Sequence, residues 1–155
     1  SEIYKAKEDV NSIAHAHPMY GKTFSTLGKM LKPISQDSCA FYERTAIFSD
    51  YDGVANGPDE GINIAKALGD KEFCILQNHG ILTTGTMVDT AVWYFLNMED
   101  ACKSQLLAEA VGEPKIIPHE TACATRDYVA NDLSAYVSFQ PTIDVLWEEE
   151  PDLLD

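Results

Sequence analysis

His15-Ala16-His17 and, far downstream, Gln77-Asn78-His79-Gly80 hold three of the four histidines in this chain. The residues leading into the first pair, Val10-Asn11-Ser12-Ile13-Ala14, read as extended. Side chains on a strand repeat every second residue, so His15 and His17 point to one face. Two imidazoles on one face, joined by a third from another strand or turn, make a nitrogen-rich site for a divalent cation such as zinc. Three protein ligands with an open fourth position is the catalytic rather than the structural arrangement. A His-x-His pair alone is common on ordinary strands, and the second motif is what lifts the pattern above that background.

The elements that must hold these histidines can be read from periodicity and punctuation. Glu2 to Lys7 reads as the end of a helix and Val10 to His17 as a strand. Pro18 suits the first turn of a helix, where its missing N–H costs nothing, and Gly28 suits the end of that helix. Leu31 to Ile34 is a short extended piece, and Ala46 to Val54 holds strand material with a turn at Asp52-Gly53. Pro58-Asp59-Glu60 opens a helix with acids in its first turn, favourable to the helix dipole, and Gly69 closes it. Phe73 to Gln77 is a buried strand, Asn78-His79-Gly80 a turn, and Ile81 to Thr84 resumes the extended pattern.

The longest helix shows an apolar stripe through Val88, Ala91, Val92, Phe95, Met98, Cys102, Leu106 and Ala110. Thr86 with Asp89 three residues on resembles a capping box at its start. Gly112 and Pro114 end it. A last helix is expected over Asp127 to Val137, with an irregular tail from Phe139-Gln140-Pro141. Strands alternating with helices argue for α/β layers. Next to Gly80, a tight backbone that aims the His79 imidazole is one expectation and an ordinary turn the other. Gln77 and Asn78 are candidates for hydrogen bonds to metal-bound imidazoles, or for plain surface positions.

At 155 residues and 45% apolar content, the chain fits one globular domain. No run of 18 or more apolar residues suggests a membrane span. A formal charge of −14 argues against nucleic-acid binding, which wants Lys and Arg. Glu148-Glu149-Glu150, Asp152 and Asp155 crowd the C-terminus and read as a solvated acidic tail. Cys39, Cys74, Cys102 and Cys123 show no CxxC spacing and read as small buried hydrophobes of a reduced, cytoplasmic protein. His119 reads as a surface residue.

His-Ala-His-Pro closing a strand, followed by Ile75-Leu76-Gln77-Asn78-His79-Gly80-Ile81-Leu82-Thr83-Thr84-Gly85, resembles the class II aldolase/adducin family. That family includes fuculose-phosphate and rhamnulose-phosphate aldolases and ribulose-phosphate 4-epimerase. The similarity runs from about Ile3 to about Ala110. It implies an α/β fold, three layers α/β/α around a largely antiparallel central sheet. The aldolase-like domain is expected over residues 1–140, and the acidic tail over 141–155. It also implies that His15, His17 and His79 bind Zn2+ or another divalent metal. The implied chemistry is that of a lyase, aldolase or epimerase stabilising an enediolate of a small carbonyl substrate, sugar phosphates included. Relatives build active sites between subunits, so a homo-oligomer, a tetrameric ring, is implied as well.

In the aldolases a tyrosine from a neighbouring subunit donates a proton. The matching stretch here is Gln36-Asp37, which makes Asp37 the first candidate for that polar role, with Tyr42 and Tyr51 behind it. The aldolases also carry a glutamate upstream of the His-x-His strand, farther ahead than this chain extends. Glu2, Glu8 and Asp9 are the acids before His15, and none matches it. The resemblance therefore implies an N-terminally incomplete domain, or a short homologue that completes its site differently. A non-catalytic module like the adducin head, or an inactive fragment of an enzyme, are the alternatives. Retention of all three histidines favours the enzyme, because adducin-type members have lost them.

Overall fold

The computed structural model describes residues 2–50 and 58–154. Its elements run α1 (Glu2–Ala6), β1 (Ser12–Ala16), α2 (Met19–Ser25), β2 (Thr45–Phe48), α3 (Pro58–Leu68), β3 (Phe73–Leu76), β4 (Gly80–Gly85), α4 (Val88–Val111), α5 (His119–Val129) and α6 (Asp132–Glu149). A 3-10 turn over Asp37–Phe41 precedes β2, and another over Pro151–Leu154 follows α6. Tyr51 and the expected turn at Asp52-Gly53 lie outside the described residues.

The four strands form one sheet in the order β1-β4-β3-β2. β1 pairs antiparallel with β4, and β4 antiparallel with β3; β2 and β3 are parallel. The parallel pair is possible because α3 carries the chain across between them. Helices cover both faces, so the fold is the expected three layers around a largely antiparallel sheet.

β2, β3 and β4 feed two cores by alternation. Phe73, Ile75 and Ile81 pack on one face with Phe24 of α2, Tyr94, Met98 and Cys102 of α4 and Ala135 of α6. Cys74, Leu76 and Leu82 pack on the other with Ile3 of α1, Leu68 of α3, Ala46 and Phe48. This double burial explains the unbroken apolar run Phe73-Cys74-Ile75-Leu76. It also raises the thiols of Cys74 and Cys102 to about 12, because burial disfavours the thiolate.

Three local expectations give way to the structure. Thr86 does not cap α4: Met87 occupies the cap position without a side-chain bond, and Thr86 Oγ1 instead donates to Asp132 Oδ2 of α6 at 2.7 Å. The helix expected over Asp127–Val137 is two helices, parted at Ala130-Asn131, where the Asn131 side chain accepts from Ser134 N at 2.9 Å and starts α6. The irregular stretch expected from Phe139 is helical, and α6 continues through Pro141 to Glu149. Proline removes one helical N–H. Val137, whose carbonyl loses that donor, is exposed, so water can replace it. Phe139, meanwhile, is buried and fastens the middle of the helix.

Candidate metal centre

The register of the sheet brings the three histidines together. Ile13 of β1 packs into the core beneath α1 and α3, and His15 and His17 continue its face beyond the buried part of the strand. β3 and β4 form a hairpin in which Leu76 faces Gly80, so Gln77, Asn78 and His79 make the turn. Ala16 pairs with Ile81, which sets the turn beside the end of β1. The ring centroids then lie 5.2 Å apart for His15 and His17, 5.0 Å for His15 and His79, and 4.5 Å for His17 and His79. One nitrogen from each ring falls within 4.8 Å of the others.

The turn residues divide the work differently from the sequence expectation. Asn78, not Gly80, takes the left-handed backbone, with φ of 58°. Asparagine tolerates that region better than most residues. Gly80 is needed for close approach: a Cβ there would sit 2.5 Å from the Ala16 carbonyl oxygen and 3.2 Å from the His17 ring. Gln77 packs its amide against Gly28, whose own φ is 58°, at the end of the α2 segment. The turn is pinned from outside by Gln77 N donating to Phe48 O at 2.8 Å.

Two observations test whether the rings suit a cation. His15 Nδ1 lies 2.9 Å from the Ile81 carbonyl oxygen. A carbonyl only accepts, so Nδ1 donates, and Nε2 is the nitrogen left for a cation. Metal-bound histidines characteristically make such a bond with the other nitrogen. His79 is held below the usual imidazole range, first by burial and then by the charges of His15 and His17, while Glu60 pulls it back up. A neutral ring is the form that binds metal. The donor set fits a divalent, borderline cation, and the exposure of His15 and His17 leaves room for further ligands.

Asp37 and Tyr42 lie elsewhere. Asp37 is exposed and lines a cavity of about 240 Å3 with Gln36, Trp93, Asn97, Tyr128 and Ser138. None of the three histidines lines that cavity. The histidines, not this cavity, hold the chemistry: three ring nitrogens converge there, and no such set lines the cavity. Tyr42 directs its hydroxyl to His119 Nδ1 at 3.2 Å.

Two acids were not singled out as site residues. Glu60, in the first turn of α3, acts electrostatically on His79; its place before that helix's apolar stripe gave only a dipole signal. Glu99 of α4 accepts from Tyr20 N at 2.8 Å and from Gly21 N, and so caps α2 just after His17-Pro18. A long-range cap of this kind leaves no mark in local sequence.

The profile of the Class II Aldolase and Adducin N-terminal domain matches residues 1–106. The chain is 37% identical over 153 residues to decarboxylase NovR of Streptomyces niveus, covering 99% of this chain and 57% of that protein. It is also 37% identical over 153 residues to the 4-hydroxy-3-prenylphenylpyruvate oxygenase/4-hydroxy-3-prenylbenzoate synthase of Streptomyces roseochromogenus, covering 99% and 55%. The L-fuculose 1-phosphate aldolase of Glaciozyma antarctica superposes with a TM-score of 0.86 at 39% identity, over 97% of this chain and 57% of that one. The chain thus spans little more than half the length of these relatives. With the profile, the paired histidine motifs and the three-layer fold in agreement, the chain belongs to the class II aldolase and adducin N-terminal domain family.

Proposed function

We propose that this chain carries the metal-holding half of a carbon–carbon lyase active site acting on a small carbonyl substrate. The observation that carries the reading is the convergence of His15, His17 and His79 within 4.8 Å. Zinc is the first choice of ion, because three neutral imidazoles and an open position suit it. When bound, such an ion supplies Lewis acidity to a substrate carbonyl and so favours negative charge on the neighbouring carbon. The chain's own part is positional. Ile81 O accepts from His15 Nδ1, burial favours the neutral form of His79, and the charge of Glu60 acts in the opposite direction on that ring.

Asp37 is proposed as the polar group presented to a neighbouring subunit's site, which suits its exposure. Assembly is proposed accordingly, as a homo-oligomer up to a tetrameric ring. Large apolar side chains left in the open on α6, Leu133 at 72%, Val137 at 59% and Trp147 at 51% exposure, support it. All four cysteines are unpaired, which supports a reduced, cytoplasmic setting. No helix among the described residues is long and apolar enough to cross a membrane.

A second reading, decarboxylation of an aryl 2-oxo acid, is favoured by similarity over nearly the whole chain to a named decarboxylase and a named phenylpyruvate oxygenase. An adducin-like interaction module is the non-enzymatic alternative, and the intact histidine set counts against it. The deciding experiment joins elemental analysis of the purified protein to product analysis on two panels, hydroxy-ketone phosphates and aryl 2-oxo acids. Retained zinc with aldol cleavage supports the first reading, and carbon dioxide release supports the second. No metal at saturating zinc or iron, with no turnover on either panel, sinks both.

A further inference from the structure

The fourth histidine stands in a second cluster, on elements that contribute nothing to the first. His119 and Cys123 lie four residues apart on α5 and so project from one face of it. Glu43 meets them from the segment before β2, held in the left-handed region at φ of 60°. Cys123 Sγ is 3.7 Å from Glu43 Oε2 and 3.8 and 3.9 Å from the two ring nitrogens of His119. His119 Nδ1 is 3.7 Å from Glu43 Oε1.

These separations can be set against metal geometry. Metal–sulfur bonds of about 2.3 Å and metal–nitrogen or –oxygen bonds of about 2.1 Å at tetrahedral angles place donors roughly 3.4–3.6 Å apart. The cluster therefore sits within a few tenths of an ångström of a coordination polyhedron. Its chemistry also differs from the first: a soft sulfur, an imidazole and a carboxylate. The Tyr42 hydroxyl lies 3.2 Å from His119 Nδ1, which leaves Nε2, 3.9 Å from Cys123 Sγ, as the ligating nitrogen, the arrangement in which an outer partner steadies a metal-bound ring.

We propose that Glu43, His119 and Cys123 form a second divalent-cation site, for zinc or a similarly borderline-soft ion, with its fourth position open to water. The site clips α5 to the segment that leads into β2. Binding breaks the Cys123 S–H bond as the sulfur–metal bond forms, and the proton leaves to solvent. In the metal-free chain the guanidinium of Arg126 occupies the neighbourhood, 3.2 Å from Glu43 Oε2, and its Nε is bonded to Asp127 at 2.8 Å. The ion must displace the first contact, and Asp127 keeps the arginine when it does.

Cobalt(II) is the probe, because a thiolate ligand gives it a charge-transfer absorption that imidazoles and carboxylates cannot. The chain should bind two equivalents and show that band. Cys123→Ser should lose the band and one equivalent; His15→Ala with His17→Ala should keep the band. Tyr42→Phe should weaken the band-forming site by roughly tenfold or more. Arg126→Gln should strengthen it, since a competing cation is removed. His119→Asn, checked for fold by circular dichroism, gives an independent loss. Absence of the band at saturating cobalt, or its persistence in Cys123→Ser, overturns the proposal. Neither outcome bears on the three-histidine centre, which contains no sulfur.

Discussion

The two histidine clusters of this molecule are assembled in opposite ways. His15, His17 and His79 come from strand ends and one tight turn, so sheet register fixes them, and their donors are alike, all imidazole nitrogens. Glu43, His119 and Cys123 come from a strained loop residue and one helix face, and their donors differ in charge and softness. The first cluster is reinforced by backbone, through Ile81 O and Gln77 N. The second is held mainly by the side chains of Tyr42 and Arg126, the latter also donating to the Tyr42 carbonyl oxygen at 3.4 Å. A site set by register has its backbone placed by strand pairing; a site set by side chains depends on the rotamers they hold.

The widest separation between the two is expected from His79→Ala. It removes a proposed ligand whose backbone place is set by the hairpin turn. Under the proposed lyase activity, turnover should fall roughly 10³-fold, the scale of losing Lewis-acid stabilisation of several kcal/mol. Steady-state kinetics and metal content would measure this together; unchanged turnover would break the assignment of the first cluster.

Gly80→Ala tests register itself. Its new methyl meets the Ala16 carbonyl at 2.5 Å, and backbone cannot yield cheaply, so a loss of about 1–3 kcal/mol is expected. Gly112→Ala is the control, since nothing lies within 4 Å of that position and its backbone is extended at φ of 170°. Thermal melts should separate the pair by roughly 5 °C. Equal melting temperatures would show that β1 and the turn are not locked as described.

Glu99→Gln should cost less, about 1–2 kcal/mol, because one of the two bonds to the start of α2 survives without its charge. Cobalt stoichiometry at both clusters should stay as in the parent chain. If metal binding at the histidine triad is lost, the triad depends on α2 and not on strand register alone.

The smallest effect is one of pH. His79 is depressed below 6.5 in the folded chain, chiefly by burial. Above 6.5 the ring is neutral in both folded and unfolded states. As pH falls from there through the depressed folded value, the unfolded chain takes up the proton first, and stability declines. Chelator-treated protein should therefore lose melting temperature below pH 6.5, and His79→Gln should lose less of it over the same window. A steeper decline in the variant would reverse the sign and discard the argument.

Most of the first cluster was legible because its information is local. His-x-His on a strand carries its own period of two, and Phe73-Cys74-Ile75-Leu76 announces a buried strand just before His79. The second cluster was hidden because its members are distant in the chain and individually ordinary. His119 read as a surface residue and Cys123 as a small hydrophobe, although their spacing of four on a helix was a signal available to be read. The misjudged helix ends share a cause. Thr86 found a tertiary partner in Asp132 that no window around it contains, and Pro141 was overruled by the packing of Phe139. Asn131, with an acid after it and Ser134 three residues on, was a cap signal that the apolar pattern of Asp127–Val137 obscured.

β1 lies at the edge of the described sheet, with β4 its one neighbour. Edge strands detach more readily than central ones, because fewer bonds must break. His15 Nδ1 is bonded to a carbonyl 66 positions away, so the first centre sits where the two ends of a long stretch of chain meet. An ion shared across that junction would behave as a reversible cross-link, adding stability only while the strand is docked. Metal release and strand opening then become one event. The speed at which the ion exchanges would follow how often β1 peels from β4, rather than the strength of any single metal–nitrogen bond.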